Sequence, residues 1–324
     1  MKASIRSIAH HLPESVLTNS AIAASFPEWP ADKIEKKLGI RERRISGPSQ
    51  FSSDLAIAAG ECLLAQTDLD RLTVEALIVV TQTPDYLLPT TACLVQHGLG
   101  LTKAVAAFDL NLGCSGYVYS LSVAKGLIES GLFRRILLIT ADTYTKLLDP
   151  CDQSVRTLFG DGASATLIEG VESDQSLIGG FDFGTDGACA GDLIARGSSL
   201  RDRADSVRPF ICMNGGEIFA FASRVVPTSI EAAMRLYGLT LDQVDLFVFH
   251  QANSYMLEHL RQKCRIPKEK FVVSMVNCGN TVSSSIPIAL ALAAAEKRIR
   301  SGAKILLCGF GVGASWASCV VEWP

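Results

Sequence analysis

The chain has 324 residues, of which 48% are hydrophobic and 19% are charged, and its formal net charge at pH 7 is −3. These values exclude a disordered chain and describe a compact protein of two domains, or of one domain built from two halves. They also provide no general attraction for nucleic acid or for an anionic membrane, so we expect neither as a partner.

The cysteines and the apolar runs indicate a cytoplasmic protein. Residues 1–7 have no apolar signal core, and the longest apolar run, Ile286 to Ala295, is too short to span a bilayer. Ten cysteines in such a chain indicate reduced thiols and not a disulfide framework. No Cys or His spacing matches a zinc site, so we expect no metal.

Periodicity predicts alternating strands and helices up to Gly98. In chain order we expect a strand at 4–12, a helical region at 18–38 interrupted by Pro27 and Pro30, a basic turn or strand at 39–44, a helix at 53–66 with Ser53 as N-cap, a buried strand at 74–81 and a helix at 90–98.

The next stretch has a cysteine at the point where a strand turns into a helix. We expect a strand at 104–110, a turn ending at Gly113, and a helix from Cys114 to Ser130 that Gly131 terminates. The N-terminus of a helix favours a thiolate over a thiol, so Cys114 is a candidate nucleophile. A cysteine is, however, more often a small buried apolar residue, and the decision rests on residues further along.

The rest of the chain repeats the first part. Strands are expected at 135–140 and 165–168, loops and short edge strands at 172–208, and a helix at 214–237. The pattern of 74–82 returns at 244–251 and that of 135–139 at 304–308, and a helix ending in Ser-Gly precedes the second strand each time. We therefore expect two related halves, 1–170 and 171–324.

A pseudo-two-fold axis between these halves would bring three residues to one central site. Cys114 and Asn280 would both start helices, and His250 would end a strand. Taken singly, His250 could be a core histidine, Asn280 a helix cap, and the Gly309–Ala314 segment a turn or a donor of N–H groups to an oxyanion.

Several motifs in order resemble one family, the β-ketoacyl-acyl carrier protein synthase III enzymes of the thiolase-like group. They are listed here by position: Gly39–Arg44, Asp109–Gly116, Phe159–Ala163, His250–Asn253, Gly279–Thr281 with the following serines, and Gly309–Trp316. The resemblance implies a five-layer αβαβα fold, a homodimer, substrates carried as acyl-coenzyme A or acyl-carrier thioesters, and no bound cofactor.

The resemblance also implies roles for individual residues. Cys114, His250 and Asn280 would be catalytic, and the N–H groups of Cys114 and Val312 would form the oxyanion hole. Substrate would contact Leu88, Phe310, Gly311, Gly313, Lys37 and Arg156, and a carrier protein would contact Gln251, Arg261 and Lys263. Since the Asn donor serves decarboxylation of a malonyl thioester, its presence favours carbon–carbon bond formation over simple acyl transfer.

The chain departs from the family at the substrate entrance. Lys33 and Gln153 stand where the family usually has the Trp and Arg that clamp adenine, Leu88 replaces a common aromatic, and Ala220 and Tyr255 replace two basic residues. We therefore expect either that the acyl donor is carried differently, as on a carrier protein, or that other groups bind coenzyme A, and we expect a roomier acyl pocket. The basic cluster at 261–270 is either a carrier contact or a solvated helix face.

Four functions remain open at this point. The first is the condensing enzyme of fatty-acid initiation, and the second is a specialised condensing enzyme or acyltransferase of the same fold. The others are a non-catalytic subunit of a heteromeric synthase, and a thiolase that would use Cys308 as a second cysteine.

Overall fold

The computed structural model describes residues 1–196 and 210–324. Its strands are β1 (Lys2–His11), β2 (Val16–Thr18), β3 (Glu42–Arg44), β4 (Ala76–Val80), β5 (Ala106–Leu110), β6 (Arg135–Asp142), β7 (Gly162–Val171), β8 (Ile178–Thr185), β9 (Leu193–Ala195), β10 (Ile211–Met213), β11 (Leu246–Phe249), β12 (Lys304–Gly311) and β13 (Ser315–Glu322). Its helices are α1 (Asn19–Ala23), α2 (Ala31–Leu38), α3 (Ser52–Thr67), α4 (Thr91–Gly98), α5 (Gly116–Glu129), α6 (Gln153–Arg156), α7 (Gly215–Tyr237), α8 (Ser254–Lys263) and α9 (Ser285–Ala295).

Two sheets with matching connectivity form the framework. The first has the order β1-β7-β6-β4-β5, in which β4 pairs in parallel with β5 and β6. The second has the order β8-β13-β12-β11, in which β11 and β12 are parallel. A single parallel bridge from Phe247 to Phe271 stands where β5 stands in the first sheet. The sheets therefore repeat one topology, as the sequence pattern predicts.

The helices complete five layers. α3 and α4 pack on the outer face of the first sheet, and α7, joined by α8, covers the second. α5 contacts strands of both sheets, and α9 lies beside it against β1, β7 and β11. Fully buried side chains of β4, α5 and β12, such as Ile78, Leu121 and Leu307, belong to one apolar cluster between the sheets. The fold is the thiolase-like αβαβα sandwich.

Several element boundaries differ from the sequence prediction. The N-cap of α3 is Phe51 and not Ser53. Ser53 is the second residue of the helix, and its hydroxyl donates a hydrogen bond to Asp85. The helices expected to begin at Cys114 and near Asn280 begin instead at Gly116 and Ser285. A 3-10 turn, Val282–Ser284, fills the second gap. The residues expected to carry chemistry thus lie in the turns before the helices.

The region expected to hold loops contains a long edge strand. β8 has eight residues and pairs only with β13 among the described strands. Residues 197–208 of that predicted loop region lie outside the described residues. The predicted boundary between the halves falls at the last residues of β7, which ends at Val171. In the described part of the chain, no helix is long and apolar enough to cross a membrane.

Candidate active site

Cys114, His250 and Asn280 line a single cavity of about 70 Å³. Cys114 follows β5, His250 follows β11, and Asn280 precedes α9. All three side chains are buried, with exposed fractions of 5% or less. The two halves of the fold thus bring together the three residues expected to act together.

Burial keeps the Cys114 sulfur protonated at neutral pH. Burial, with a smaller contribution from nearby Asp142, raises the pKa of the thiol to about 12. The backbone N–H groups of Val312 and of Cys114 itself are directed at the sulfur and act in the opposite direction. The expectation of a thiolate favoured by the helix terminus is therefore wrong for the resting site, because desolvation outweighs the helix dipole.

The strand β12 presses against Cys114. A Cβ atom added to Gly311 would lie 2.8 Å from both Cβ and Sγ of Cys114, so a side chain there would displace the sulfur. Val312, the next residue, supplies one of the two N–H groups at the sulfur. The glycine segment predicted to donate N–H groups is thus placed directly against the nucleophile.

His250 is held as a neutral imidazole. Burial lowers its pKa to about 3. Its Nδ1 lies 2.7 Å from Ser285 Oγ, and that oxygen accepts a hydrogen bond from the Gln251 N–H at 3.4 Å. In the tautomer in which the Ser285 hydroxyl donates to Nδ1, the imidazole proton is on Nε2.

The amide of Asn280 is oriented beside this histidine. Asn280 Oδ1 accepts from the Val282 N–H at 2.9 Å, so Nδ2 is the atom that lies 3.4 Å from His250 Nε2. Phe310 packs edge-on against the His250 ring, with 5.7 Å between the ring centroids. Nδ2 of Asn280 and Nε2 of His250 are thus two neutral N–H donors side by side, suited to a shared oxygen acceptor.

A surface groove adjoins the cavity through Asn253, which lines both. One wall carries Lys33, Lys36 and Lys37, and the other carries Tyr255 and His259. The walls come close because Gly39 ends α2 with φ +68°, and a Cβ there would lie 1.7 Å from Ser254 Oγ at the start of α8. The groove thus lies next to the cavity that contains Cys114.

The groove contains one aromatic ring that is free to stack. Tyr255 is 68% exposed, and its inner side stacks on Phe219 with 5.5 Å between centroids. Trp29 is covered by the ammonium groups of Lys33 and Lys37, each 4.8 Å from its ring centroid. The Trp29 ring is thus covered by side chains of its own chain, unlike the ring of Tyr255.

Three residues predicted to contact the substrate or a carrier protein are not placed where they could do so. The Gln251 side chain is buried and forms hydrogen bonds with the Phe249 carbonyl and the Ser274 N–H. The prediction that this residue contacts a carrier protein is therefore wrong. Arg261, whose side chain is 17% exposed, is bound to Glu258 and to the Ile266 carbonyl. Arg156 lies on α6 and is not among the residues that line the cavity or the groove.

Lys263 and Leu88 are open to solvent in the single chain. Lys263 donates to Ser223 Oγ at 3.1 Å on an exposed face. Leu88 is 86% exposed, next to the exposed Leu87 and Tyr86.

A second cavity of about 340 Å³ is lined by Gly313 together with Val312, Tyr144 and Leu193. Because Leu193 and the neighbouring pair Gly311 and Val312 connect the two cavities, the second lies beside the nucleophile.

Sequence reasoning missed Ser285 and the second cavity. The run of serines after Asn280 was a signal for the first, since a hydroxyl near a candidate histidine can orient its ring. The second cavity is lined by residues scattered between Gln82 and Gly313, which do not belong to one motif. Cys308 is buried in β12 and does not line the cavity, so the second cysteine of a thiolase is not provided there. Among the described residues, no group of three or more His, Cys, Asp or Glu is placed to hold a metal ion.

Comparison with known proteins identifies close relatives. The family model for 3-oxoacyl-[acyl-carrier-protein] synthase III matches residues 108–187, and the model for the C-terminal part of that family matches residues 234–323. A β-ketoacyl-[acyl-carrier-protein] synthase III of Roseiflexus sp. (strain RS-1) is 39% identical, over 96% of this chain and 95% of its own.

Solved structures agree in fold over the whole chain. A 3-oxoacyl-(acyl-carrier-protein) synthase III crystal structure is 47% identical and has a TM-score of 0.98, with 100% of both chains covered. The enzyme of the same name from Pseudomonas aeruginosa PAO1 is 34% identical with a TM-score of 0.92, covering 100% of this chain and 99% of its own.

Proposed function

Because this chain belongs to the 3-oxoacyl-acyl-carrier-protein synthase III family, we propose that it condenses an acyl-thioester primer with malonyl-acyl carrier protein. The reaction is a decarboxylative Claisen condensation that starts a fatty acid, or a related chain in a specialised pathway. The observation that carries this proposal is the pair of neutral donors, His250 Nε2 and Asn280 Nδ2, in one cavity with Cys114.

In the first half-reaction, Cys114 takes the acyl group. The sulfur attacks the thioester carbonyl and gives up its proton, which the departing carrier thiolate takes up, and the tetrahedral oxyanion accepts hydrogen bonds from the N–H groups of Cys114 and Val312. Collapse expels the carrier thiol and leaves an acyl-cysteine. The 340 Å³ cavity beside Val312 and Gly313 takes the acyl chain.

In the second half-reaction, the malonyl thioester is decarboxylated. Its thioester oxygen accepts hydrogen bonds from His250 and Asn280, which stabilise the enolate that forms as carbon dioxide leaves. The enolate carbon attacks the acyl-cysteine, and Cys114 leaves as the β-ketoacyl thioester forms. A histidine with a pKa of about 3 stays neutral throughout, so it donates a hydrogen bond without carrying a charge.

The groove receives the carrier arm. Lys33, Lys36 and Lys37 supply positive charge for a phosphate on the arm, and Lys263 extends the basic surface towards an acidic carrier protein. With the stacking pair for adenine replaced, we propose that the primer is presented on a carrier protein and not on coenzyme A. No bound cofactor takes part, the enzyme works as a homodimer in the cytoplasm, and Leu88 reaches the acyl pocket of the second copy.

Intact-protein mass spectrometry tests the proposal. The protein is incubated with a panel of acyl-coenzyme A and acyl-carrier thioesters, and then with malonyl-carrier protein. We expect one acyl mass to appear on Cys114, faster from the carrier form, and to be discharged as a β-ketoacyl product.

Two variants serve as controls. Cys114→Ala should take up no acyl group at the site, and Asn280→Ala should be acylated but discharged far more slowly than the native enzyme. An acyl adduct on the native enzyme that no malonyl thioester removes would instead identify an acyltransferase. Faster acylation from coenzyme A would contradict the carrier preference alone.

A further inference from the structure

A fully buried arginine lies beneath the segment that carries Asn280. Arg43, on β3, has the largest fully buried side chain among the described residues, at 0% exposure. Burial lowers its pKa to about 10, so the guanidinium is still charged at neutral pH. No ion pair joins it to a carboxylate among the described residues. A buried charge is costly, and this one is retained with neutral partners.

The guanidinium is anchored to one backbone carbonyl and one amide. Nε donates to the Thr157 carbonyl oxygen at 2.9 Å, and Nη2 donates to the same oxygen. Nη1 donates to Asn19 Oδ1, and Asn19 Nδ2 in turn donates to the Ile40 carbonyl at 2.8 Å. The planar fork thus fixes Thr157 relative to the N-terminal segment, as a single ammonium could not.

Thr157 begins the turn that holds the Asn280 backbone. The Asn280 N–H donates to the Leu158 carbonyl, and the Gly160 N–H donates to the Asn280 carbonyl, both at 3.0 Å. Phe159 and Asn280 therefore form a parallel β-bridge. Any movement of Thr157 passes through this bridge to Asn280.

Arg43 also supports the same segment directly. A Cβ on Gly279, the residue before Asn280, would lie 2.9 Å from Arg43 Cγ, so the aliphatic stem packs against that backbone. On either side of Arg43, the Arg41 N–H donates to the Val276 carbonyl at 2.8 Å and the Arg44 N–H to the Cys278 carbonyl at 3.4 Å. The Asn280 segment thus rests on Arg43 from one side and on the turn that Arg43 anchors from the other.

We propose that Arg43 is a positioning residue for Asn280 and thereby acts on the second half-reaction only. This inference rests on the proposed function. Cys114 and the N–H of Val312 belong to the turn after β5 and to the end of β12, and no bond from Arg43 reaches either. Acylation is therefore independent of Arg43, whereas stabilisation of the enolate requires the amide that Arg43 holds in place.

The test measures the two half-reactions separately in Arg43→Lys. This change keeps the positive charge and removes the forked contact. Acylation of Cys114 should stay within about twofold of the native rate, and discharge by malonyl-carrier protein should slow by about 10- to 100-fold. The matched control is Arg41→Lys, two residues away with a side chain 62% exposed, which should change neither rate.

A double variant separates positioning from general destabilisation. In an Asn280→Ala background, Arg43→Lys should cause no further loss of discharge, because the amide it positions is gone. The proposal is overturned if Arg43→Lys slows both half-reactions equally, leaves discharge unchanged, or multiplies the loss seen in Asn280→Ala.

Asn19→Ala provides a second, milder variant. It removes one acceptor of the guanidinium and leaves the arginine in place, so it answers the question if Arg43→Lys does not fold. The same selective loss of discharge is expected, and an equal loss of both half-reactions overturns the proposal. Native enzyme that is acylated but never discharged refutes the proposed function itself, independently of Arg43.

Discussion

Cys114 and His250 are both held in their uncharged forms by burial. The pKa of the thiol is raised to about 12 and that of the imidazole is lowered to about 3, so at neutral pH the site contains no thiolate–imidazolium pair. Cys114 therefore gives up its proton only during the reaction, and the histidine serves as a hydrogen-bond donor. An imidazole next to a permanent thiolate would instead be drawn to its charged form.

The raised pKa of Cys114 predicts the pH dependence of its alkylation. Because iodoacetamide reacts with the thiolate, the rate at Cys114 should rise about tenfold per pH unit from about pH 6.5 to 9.5 without a plateau. The rate is followed by mass spectrometry of the peptide that contains Cys114, with Cys114→Ser identifying the signal. A plateau near neutral pH would show that a thiolate is already present and would contradict the burial argument.

At the scale of elements, the predicted strands and helices were mostly confirmed. Most errors lie at their ends, and the eight-residue strand β8 lies where loops and short edge strands were expected. Buried strands such as β4 and β6 are continuously apolar, and no other interpretation suits such runs between turns. The starts of α3, α5 and α9 were misplaced by one to five residues. Ser53 looked like a cap, but its hydroxyl bonds to Asp85, 32 residues away, which no local pattern reveals.

Two helical glycines offer a test of packing against helix propensity. Gly126 of α5 has no atom within 4 Å of the position of an added Cβ, whereas at Gly60 of α3 that atom would lie 2.8 Å from both terminal carbons of buried Leu99. Gly126→Ala should raise the free energy of unfolding by about 0.4–1 kcal/mol, since alanine restricts the unfolded chain.

Gly60→Ala is the matched variant in the other helix. It should lower the free energy of unfolding by about 1–3 kcal/mol, because Leu99 must move within a packed core. Urea denaturation of both variants beside the native protein measures the two changes. Equal effects of the same sign would mean that helix propensity, and not the space around the Cβ, decides the outcome.

At the scale of the molecule, the duplication made the site predictable. Cys114, His250 and Asn280 are far apart in the chain, and the repeated strand–helix units, together with the family resemblance, indicated that they would meet. The degree of burial could not be predicted in the same way. Arginines are rarely buried, so nothing in the sequence marked Arg43 as an interior residue. The burial of Cys114 was not predicted either, and its pKa was therefore expected to be lowered when burial in fact raises it.

The exposed segment Tyr86, Leu87 and Leu88 is a candidate contact of the proposed homodimer. In the single chain these side chains are 60%, 63% and 86% exposed, which is unfavourable for three large apolar residues in a row. We expect a second copy to cover them. Leu87→Asp combined with Leu88→Asp should therefore raise the dissociation constant of the homodimer at least about tenfold, because charges would be buried in the contact.

Sedimentation velocity over a range of protein concentrations measures this change, and Leu72→Asp is the control. Leu72 is 63% exposed in the turn Arg71–Thr73. Its replacement by Asp adds a charge to the surface and leaves the 86–88 segment unchanged. The control should leave the dimer intact. The double variant should also lose acyl transfer in proportion to the monomer formed, since Leu88 is proposed to complete the acyl pocket of the second copy. If the Leu87→Asp, Leu88→Asp double variant remains a dimer, the interface lies elsewhere and does not explain the exposure of Leu88.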